Sequence, residues 1–341
     1  MKLNREELLS KLLLIRSGVS KKDIVDLATH VMFTGEELVS HNGFVCVRCP
    51  LKTDFKCFVD SGMLYDLLFR ISSEQVELLI KGKELRVVST GTKAGLSIIC
   101  DDKIEGDISK LTVDKKKWRP LPEDFMEGIS LCAFSVSEDV YSGVLNSVSV
   151  SSDNIYSSDD LRISHYKMKA KMFTPFLLPL AAVVELVKHK VTKYFVDKDS
   201  SWAYFGADNG LIFGARCLFD AFPDADQFFD VKGVSVVFPK KMTKELDVVS
   251  AIISDVKDRD KVMKIELDTN KVTCSAKQEK GWVENVTEMK YKGKKVFFST
   301  NPVFFYQILC KSSGVVIGER QALFTHGSFR HVMSLIIQEE K

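Results

Sequence analysis

Arg5-Glu6-Glu7-Leu8-Leu9-Ser10-Lys11-Leu12-Leu13-Leu14-Ile15-Arg16-Ser17 is the stretch that decides how this chain is read, because its pattern returns twice. A charged first turn precedes Leu8, Leu9, Leu12, Leu13 and Ile15, whose spacing predicts a helix over 5–17. Matching segments stand at 122–136 and 239–256, and each is followed by strands and a second helical segment, at 61–71, 179–190 and 302–311. The whole order recurs at intervals of roughly 118 residues, a period that means domains laid side by side and not a solenoid of short repeats. No catalytic motif recurs with it, so the repeat points to a protein whose product is a shape.

Outward from the first helix, the chain alternates or turns β-branched at 31–34, 37–41 and 44–49, with Asn42-Gly43 as a hairpin turn. After the second helix, marked by Leu64, Leu67, Leu68 and Ile71, strands are expected at 76–80, 85–89 and 96–100. Later turns fall at Asp153-Asn154, Asp208-Asn209-Gly210, Thr269-Asn270 and His326-Gly327. The class is therefore α+β. Two polar stretches, 114–122 with its Lys115-Lys116-Lys117 and 222–232 with Pro223, read as short connectors between packed domains at 1–115, 116–230 and 231–341.

The 341 residues suffice for two or three domains with their own cores, and 45% apolar content is that of an ordinary globular protein. A net charge of +2 from 48 basic and 46 acidic side chains excludes a polycationic nucleic-acid coat but leaves room for a local basic surface. The start, Met1-Lys2-Leu3-Asn4-Arg5-Glu6-Glu7, passes straight into a charged helix, so no signal peptide is expected. No apolar run is long enough to span a bilayer; 173–187 comes nearest and is broken by Pro175, Pro179 and Glu185. A cytoplasmic chain with reduced thiols, no membrane partner and no cofactor follows.

Enzyme readings find little support. Cys46-Val47-Arg48-Cys49 has no second ligand pair, and Asp224-Ala225-Asp226 lacks further ligands for a metal. There is no Gly-x-Gly-x-x-Gly, phosphate loop or Gly-x-Ser-x-Gly elbow. The six histidines are isolated, and Asn285-Val286-Thr287 is a sequon without meaning in a cytosolic chain.

Several of these pieces, in this order, resemble the bacterial-type sliding clamp, the beta subunit of DNA polymerase III. Ile155-Tyr156-Ser157-Ser158-Asp159-Asp160-Leu161-Arg162-Ile163-Ser164 stands where that family has a strand ending in Thr-Asp-Gly-His-Arg-Leu-Ala. Leu178-Pro179 with Val183-Val184-Glu185-Leu186 matches its Val-Pro…Ile-Glu-Leu helix. Gly210-Leu211-Ile212-Phe213, Leu218 and Phe222-Pro223-Asp224 follow its Phe-Thr-Ser…Gly-Arg-Phe-Pro-Asp stretch, and His331-Val332-Met333-Ser334-Leu335 is similar to its Val-Met-Pro-Met-Arg-Leu ending. Departures are Asp160 for Gly, Leu161 for His and Ser334 for Pro, with Gln338-Glu339-Glu340-Lys341 running past the usual end. The chain is also short for the family, which suits a phage or otherwise diverged clamp.

The resemblance implies three clamp domains, each with two helices packed on antiparallel sheet. Two chains would join head to tail as a homodimeric ring around duplex DNA, held without reading sequence. Implied phosphate contacts are Arg16, Lys21, Lys22, Arg70, Lys188, Lys190, Lys193, Lys240, Lys241, Lys244 and Lys311, whereas Glu123, Asp124 and Glu127 break the pattern unless they face away. The implied dimer edge is Leu96 and Ile98 against Ile252 and Ile253. The implied groove for partner peptides is Leu145, Ser158, Leu161, Arg162, Ile163, Pro223, Phe228, Phe304, Met333 and Leu335, with Gln227 where the family often has a basic residue. Its partners would be the replicative DNA polymerase and a clamp-loader ATPase. The alternative use of the same fold is a regulator coupled to transcription or repair.

Overall fold

The computed structural model describes residues 1–22, 26–111 and 113–336. The 338–341 tail lies outside these. The chain forms two compact units, Met1–Glu123 with Ala181–Phe219, and Asp124–Leu180 with Asp220–Lys341.

The first unit is built on one antiparallel sheet of twelve strands. From Lys2–Asn4 it runs through Gln75–Lys81, Glu84–Ser89, Thr92–Ile99, Cys57–Asp60, His30–Phe33, Glu37–His41 and Val45–Pro50. It continues unbroken into Ile212–Arg216, Trp202–Gly206, Lys193–Asp197 and Arg119–Pro120. Helix α1 (Arg5–Ile15) begins where Asn4 accepts the Glu7 N–H at 3.0 Å, and it buries Leu8, Leu12 and Ile15. Helix α2 (Ser61–Arg70) is capped in the same way by Asp60, at 2.7 Å from the Met63 nitrogen, and buries Leu64 and Leu68.

Helix α3 (Asp102–Lys110) falls where no helix is expected from the sequence. Gly106 and five charged side chains leave Ile104 and Ile108 as its only large apolar residues. They suffice, because both join a core with Met32, Val39, Phe58 and Trp202. The body of helix α5 (Leu180–Leu186) also belongs here, with His189 just beyond it 3.3 Å from Ser17 Oγ.

The second unit has two sheets. Eight strands run in the order Phe176–Pro179, Ser147–Ser151, Asn154–Ser158, Arg162–Lys167, Phe329–Ser334, Gln321–His326, Gly314–Ile317 and Val234–Val237. Four more run Gly281–Glu288, Lys271–Gln278, Met263–Asp268 and Val296–Thr300. Helix α4 (Phe125–Cys132) lies flush on the larger sheet, because a Cβ on Gly128 would stand 2.6 Å from Ile155 Cδ1 and 2.8 Å from the Tyr166 ring. Helix α6 (Met242–Ile252) packs on the smaller sheet, and helix α7 (Pro302–Leu309) starts with Pro302 in its first turn and Asn301 accepting from the Val303 and Phe304 nitrogens.

Each unit holds a strand junction that joins two widely separated parts of the chain. In the first, Val45–Pro50 pairs with Ile212–Arg216; in the second, Arg162–Lys167 pairs with Phe329–Ser334. The hairpin registers put Cys46 opposite His41 and Ile163 opposite Ser158, so the two junctions can be aligned residue by residue. The stretch read as a connector at 222–232 is in part folded: Asp226–Phe229 is a 3-10 turn whose Phe229, with Ala225, packs on Val332.

Candidate functional site

In the second unit the turn after Asn154–Ser158, the end of Phe329–Ser334 and the segment around Pro223 enclose a cavity of about 240 Å³. Leu145, Ser158, Leu161, Arg162, Ile163, Pro223 and Phe228 line it, seven of the ten residues that the resemblance grouped into a groove. Phe304 lines an adjoining cavity of about 230 Å³, which shares Leu161 and Arg162 with the first. Met333 and Leu335 are buried and line neither cavity. Val332 and Phe222 do line the first, and the sequence reading missed both. Strand alternation could have found Val332, which lies opposite Ile163.

Arg162 forms the wall between the two cavities, and its charge is fully engaged. Its Nε donates to Asp159 Oδ2 at 2.8 Å, Nη2 to the Phe134 carbonyl at 2.6 Å and Nη1 to Gln307 Oε1. The guanidinium lies 3.9 Å above the Phe304 ring. The turn is fixed by the same carboxylate: Asp159 accepts the Leu161 and Arg162 backbone N–H groups, and Asp160 takes a φ of 72°. Arg162 thus supplies shape and rigidity to the groove, not a free cation.

Beneath the groove the junction strands carry polar side chains. His331 is fully buried, with Nδ1 2.8 Å from Ser164 Oγ and, among the described residues, no hydrogen-bond partner at Nε2. Burial first, then Arg162 and Lys311, hold its pKa well below the ordinary histidine value. His165 stacks on Tyr156 at 4.5 Å and accepts from the Arg330 guanidinium at Nδ1, so Nε2 donates to Asn154. Burial, with Arg330 next, brings its pKa down to about 4.

Of the basic residues grouped as phosphate contacts, Arg16, Lys21, Lys22, Arg70, Lys188, Lys190, Lys240, Lys241 and Lys244 are exposed. Lys188 bonds to Glu185 at 2.7 Å; Lys193 lies over Trp118 at 5.4 Å and Lys311 over Phe134 at 5.1 Å. Of the carboxylates near α4, Asp124 is turned inward, whereas Glu123 and Glu127 are exposed. Asp124 is buried and accepts the Lys169 N–H, and Glu127 accepts the Tyr166 hydroxyl at 3.1 Å.

Of the four residues grouped as a dimer edge, Leu96 and Ile253 are buried, Ile98 is half-buried and Ile252 is exposed. Cys46 and Cys49 are buried in one strand, where positions three apart face opposite sides. Among the described residues no helix is long and apolar enough to cross a membrane.

No family model matches the sequence, and no curated protein matches it. Solved structures do match. The beta subunit of DNA polymerase from Streptococcus pyogenes is similar at a TM-score of 0.84 and 16% identity, over 99% of each chain. The polymerase III beta subunit of Thermotoga maritima gives 0.82 at 16% identity, over 99% of each chain. The Helicobacter pylori beta clamp, solved with a DNA ligase peptide, gives 0.82 at 14%, over 99% of this chain and 100% of that one. At such identities the likeness is one of fold, and the fold is that of the beta-subunit clamps.

Proposed function

We propose that this protein is a DNA sliding clamp, a ring that encircles duplex DNA and tethers the replicative polymerase and other partners without catalysing a reaction. The observation that carries the reading is the clamp fold over 99% of the chain. Each copy would supply three clamp domains, 1–115, 116–230 and 231–341, and two copies would close head to tail. A ring retains DNA by closure, so its surface needs phosphate attraction without grip, which suits Arg16, Lys21, Lys22, Arg70, Lys190, Lys240, Lys241 and Lys244 as exposed cations without an ion pair among the described residues. Burial of Asp124 removes one of the three carboxylates near α4 that would repel phosphate, while Glu123 and Glu127 stay exposed.

Two strand edges support closure. Gly281–Glu288 is the outer strand of its sheet, with Trp282 and Val286 exposed on one face and Gly281 close to the exposed Ile252 on the other. Thr92–Ile99 pairs along 92–97 on one side only. An open strand edge invites another chain, and pairing these two edges between copies would cover both. Tethering then raises the polymerase's effective concentration at the primer end. A loader ATPase would open the ring, in the cytoplasm of a bacterium or a phage-infected host.

Negative-stain electron microscopy of the purified protein at low micromolar concentration tests the reading. Closed six-lobed rings with an open centre are expected; compact particles without a hole would overturn it. Retention on nicked circular DNA, with loss after linearisation, is the matching functional readout.

A further inference from the structure

Charge around the groove narrows what can occupy it, given the groove's proposed role as a partner site. The cavity floors are apolar, with Leu161, Ile163, Phe228 and Phe304 among the lining. Their rims are acidic: Glu138 and Asp139 border one cavity, Asp160 and Asp224 the other, and all four are exposed. None of these four forms an ion pair among the described residues. The cations nearby do not offset them. Arg162 is taken by Asp159, Phe134 and Gln307, which leaves Arg259 as the one rim cation without an ion pair among the described residues.

The geometry points to a partner segment with an apolar anchor flanked by lysine or arginine. The apolar side chains fill the two cavities, and the flanking cations face Asp160 and Asp224 at one end and Glu138 and Asp139 at the other. An acidic flank would meet four carboxylates, so like-charge repulsion rejects it as much as attraction selects the basic one. Gln227 is consistent with this, because it adds no cation beside Phe228.

The test uses the full-length protein and two fluorescein-labelled synthetic peptides with the same Leu-Phe core, one flanked by lysines and one by glutamates. Fluorescence anisotropy at low salt is expected to show the lysine peptide binding at least about tenfold more tightly, as several rim charges acting together allow. The ratio should shrink toward unity in high salt, and the D160N/D224N variant should reduce it at low salt. Phe228→Asp should abolish binding of both peptides. Equal affinities, or tighter binding of the glutamate peptide, would overturn the charge assignment and leave the groove standing. If neither peptide binds, or if binding survives Phe228→Asp, the groove reading falls and this inference falls with it.

Discussion

The two strand junctions share a register and differ in what they bury. In the first, Val47 faces Phe213 and Cys46 faces Gly214, with Val47 and Phe213 both fully buried. At the aligned positions of the second, Ser164 faces His331 and Ile163 faces Val332. Where the first junction pairs Arg48 with Ile212, the second pairs His165 with Arg330. Apolar pairing is enough to hold two strands together, so the polar pairs serve something else. They lie next to the groove, and the hydrogen bonds between Ser164 and His331 and between Arg330 and His165 fix side chains in one arrangement where an apolar core could repack, with His331 Nε2 left unpaired among the described residues. The first junction is built for cohesion; the second gives up some cohesion for polar order beside the cavities.

The largest expected effect sharpens that contrast. Arg162→Met would leave Asp159, whose side chain is only 13% exposed, and the Phe134 carbonyl without their donor. Breaking a buried pair from one side costs about 3–5 kcal/mol. Arg48→Met removes the 2.8 Å bond to Glu37 and one to the Ile108 carbonyl, but Glu37 is 31% exposed and water can replace the donor. We expect that variant to lose roughly 1–3 kcal/mol. Amide hydrogen exchange can follow each unit separately. Equal losses at both sites would mean that the second junction is no more committed to its polar partners than the first.

Converting one junction into the other comes next. His331→Phe alone strands the Ser164 hydroxyl and should cost about 1–2 kcal/mol. Ser164→Val with His331→Phe reproduces the Val47–Phe213 pair, and its stability should return to the wild-type value or exceed it, since both polar groups are gone. A double variant weaker than His331→Phe alone would break the alignment of the two junctions.

The same variant tests pH dependence. His331, faced by Arg162 and Lys311, has a folded-state pKa far below 6.5, so between those values the unfolded chain binds a proton that the folded chain does not. Stability is unaffected above pH 6.5 and falls as pH drops below it, by up to about 1.4 kcal/mol per pH unit for each such histidine. His165 adds to the trend down to about 4, and in the first unit His41 and His189 are lowered by burial too. The double variant should lose about one proton's share of the slope between pH 6.5 and 5. An unchanged slope in denaturation curves would place the titration elsewhere.

What could be read in the sequence follows from how local each signal is. Helices α1, α2 and α7 carry their own caps and apolar stripes, and the structure places them within a few residues of expectation. Helix α3 and the strand Cys57–Asp60 gave no usable signal. Two isoleucines around Gly106 make no stripe, and Cys-Phe-Val-Asp is too short to show alternation before Asp60 becomes a helix cap. The groove was legible through the resemblance as far as Leu145, Ser158, Leu161, Arg162, Ile163, Pro223 and Phe228. Its partition was not, because the Arg162 bonds to Phe134 and Gln307 join residues 28 and 145 positions away. Met333 looked like a wall residue and is instead packed beneath it, 4.0 Å from Thr300 Oγ1.

The smallest expected effect concerns the two hairpin turns that lead into the junction strands. The first unit places Gly43 at a φ of 86°, where a residue without a Cβ has no strain. The aligned position in the second unit is Asp160, at 72°. Aspartate tolerates this region better than most residues but less well than glycine, so Asp160→Gly should stabilise the second unit by about 0.5 kcal/mol. Gly43→Ala should cost the first unit about 1 kcal/mol. Asp160 is exposed on the groove rim, so the same Asp160→Gly change should also reduce the preference for a lysine-flanked peptide by about twofold. A gain in stability with a loss of discrimination would mean that the strained aspartate is held for its charge. A gain with no change in peptide preference would make the turn a neutral departure from glycine, and the charge selection would have to rest on Glu138, Asp139 and Asp224.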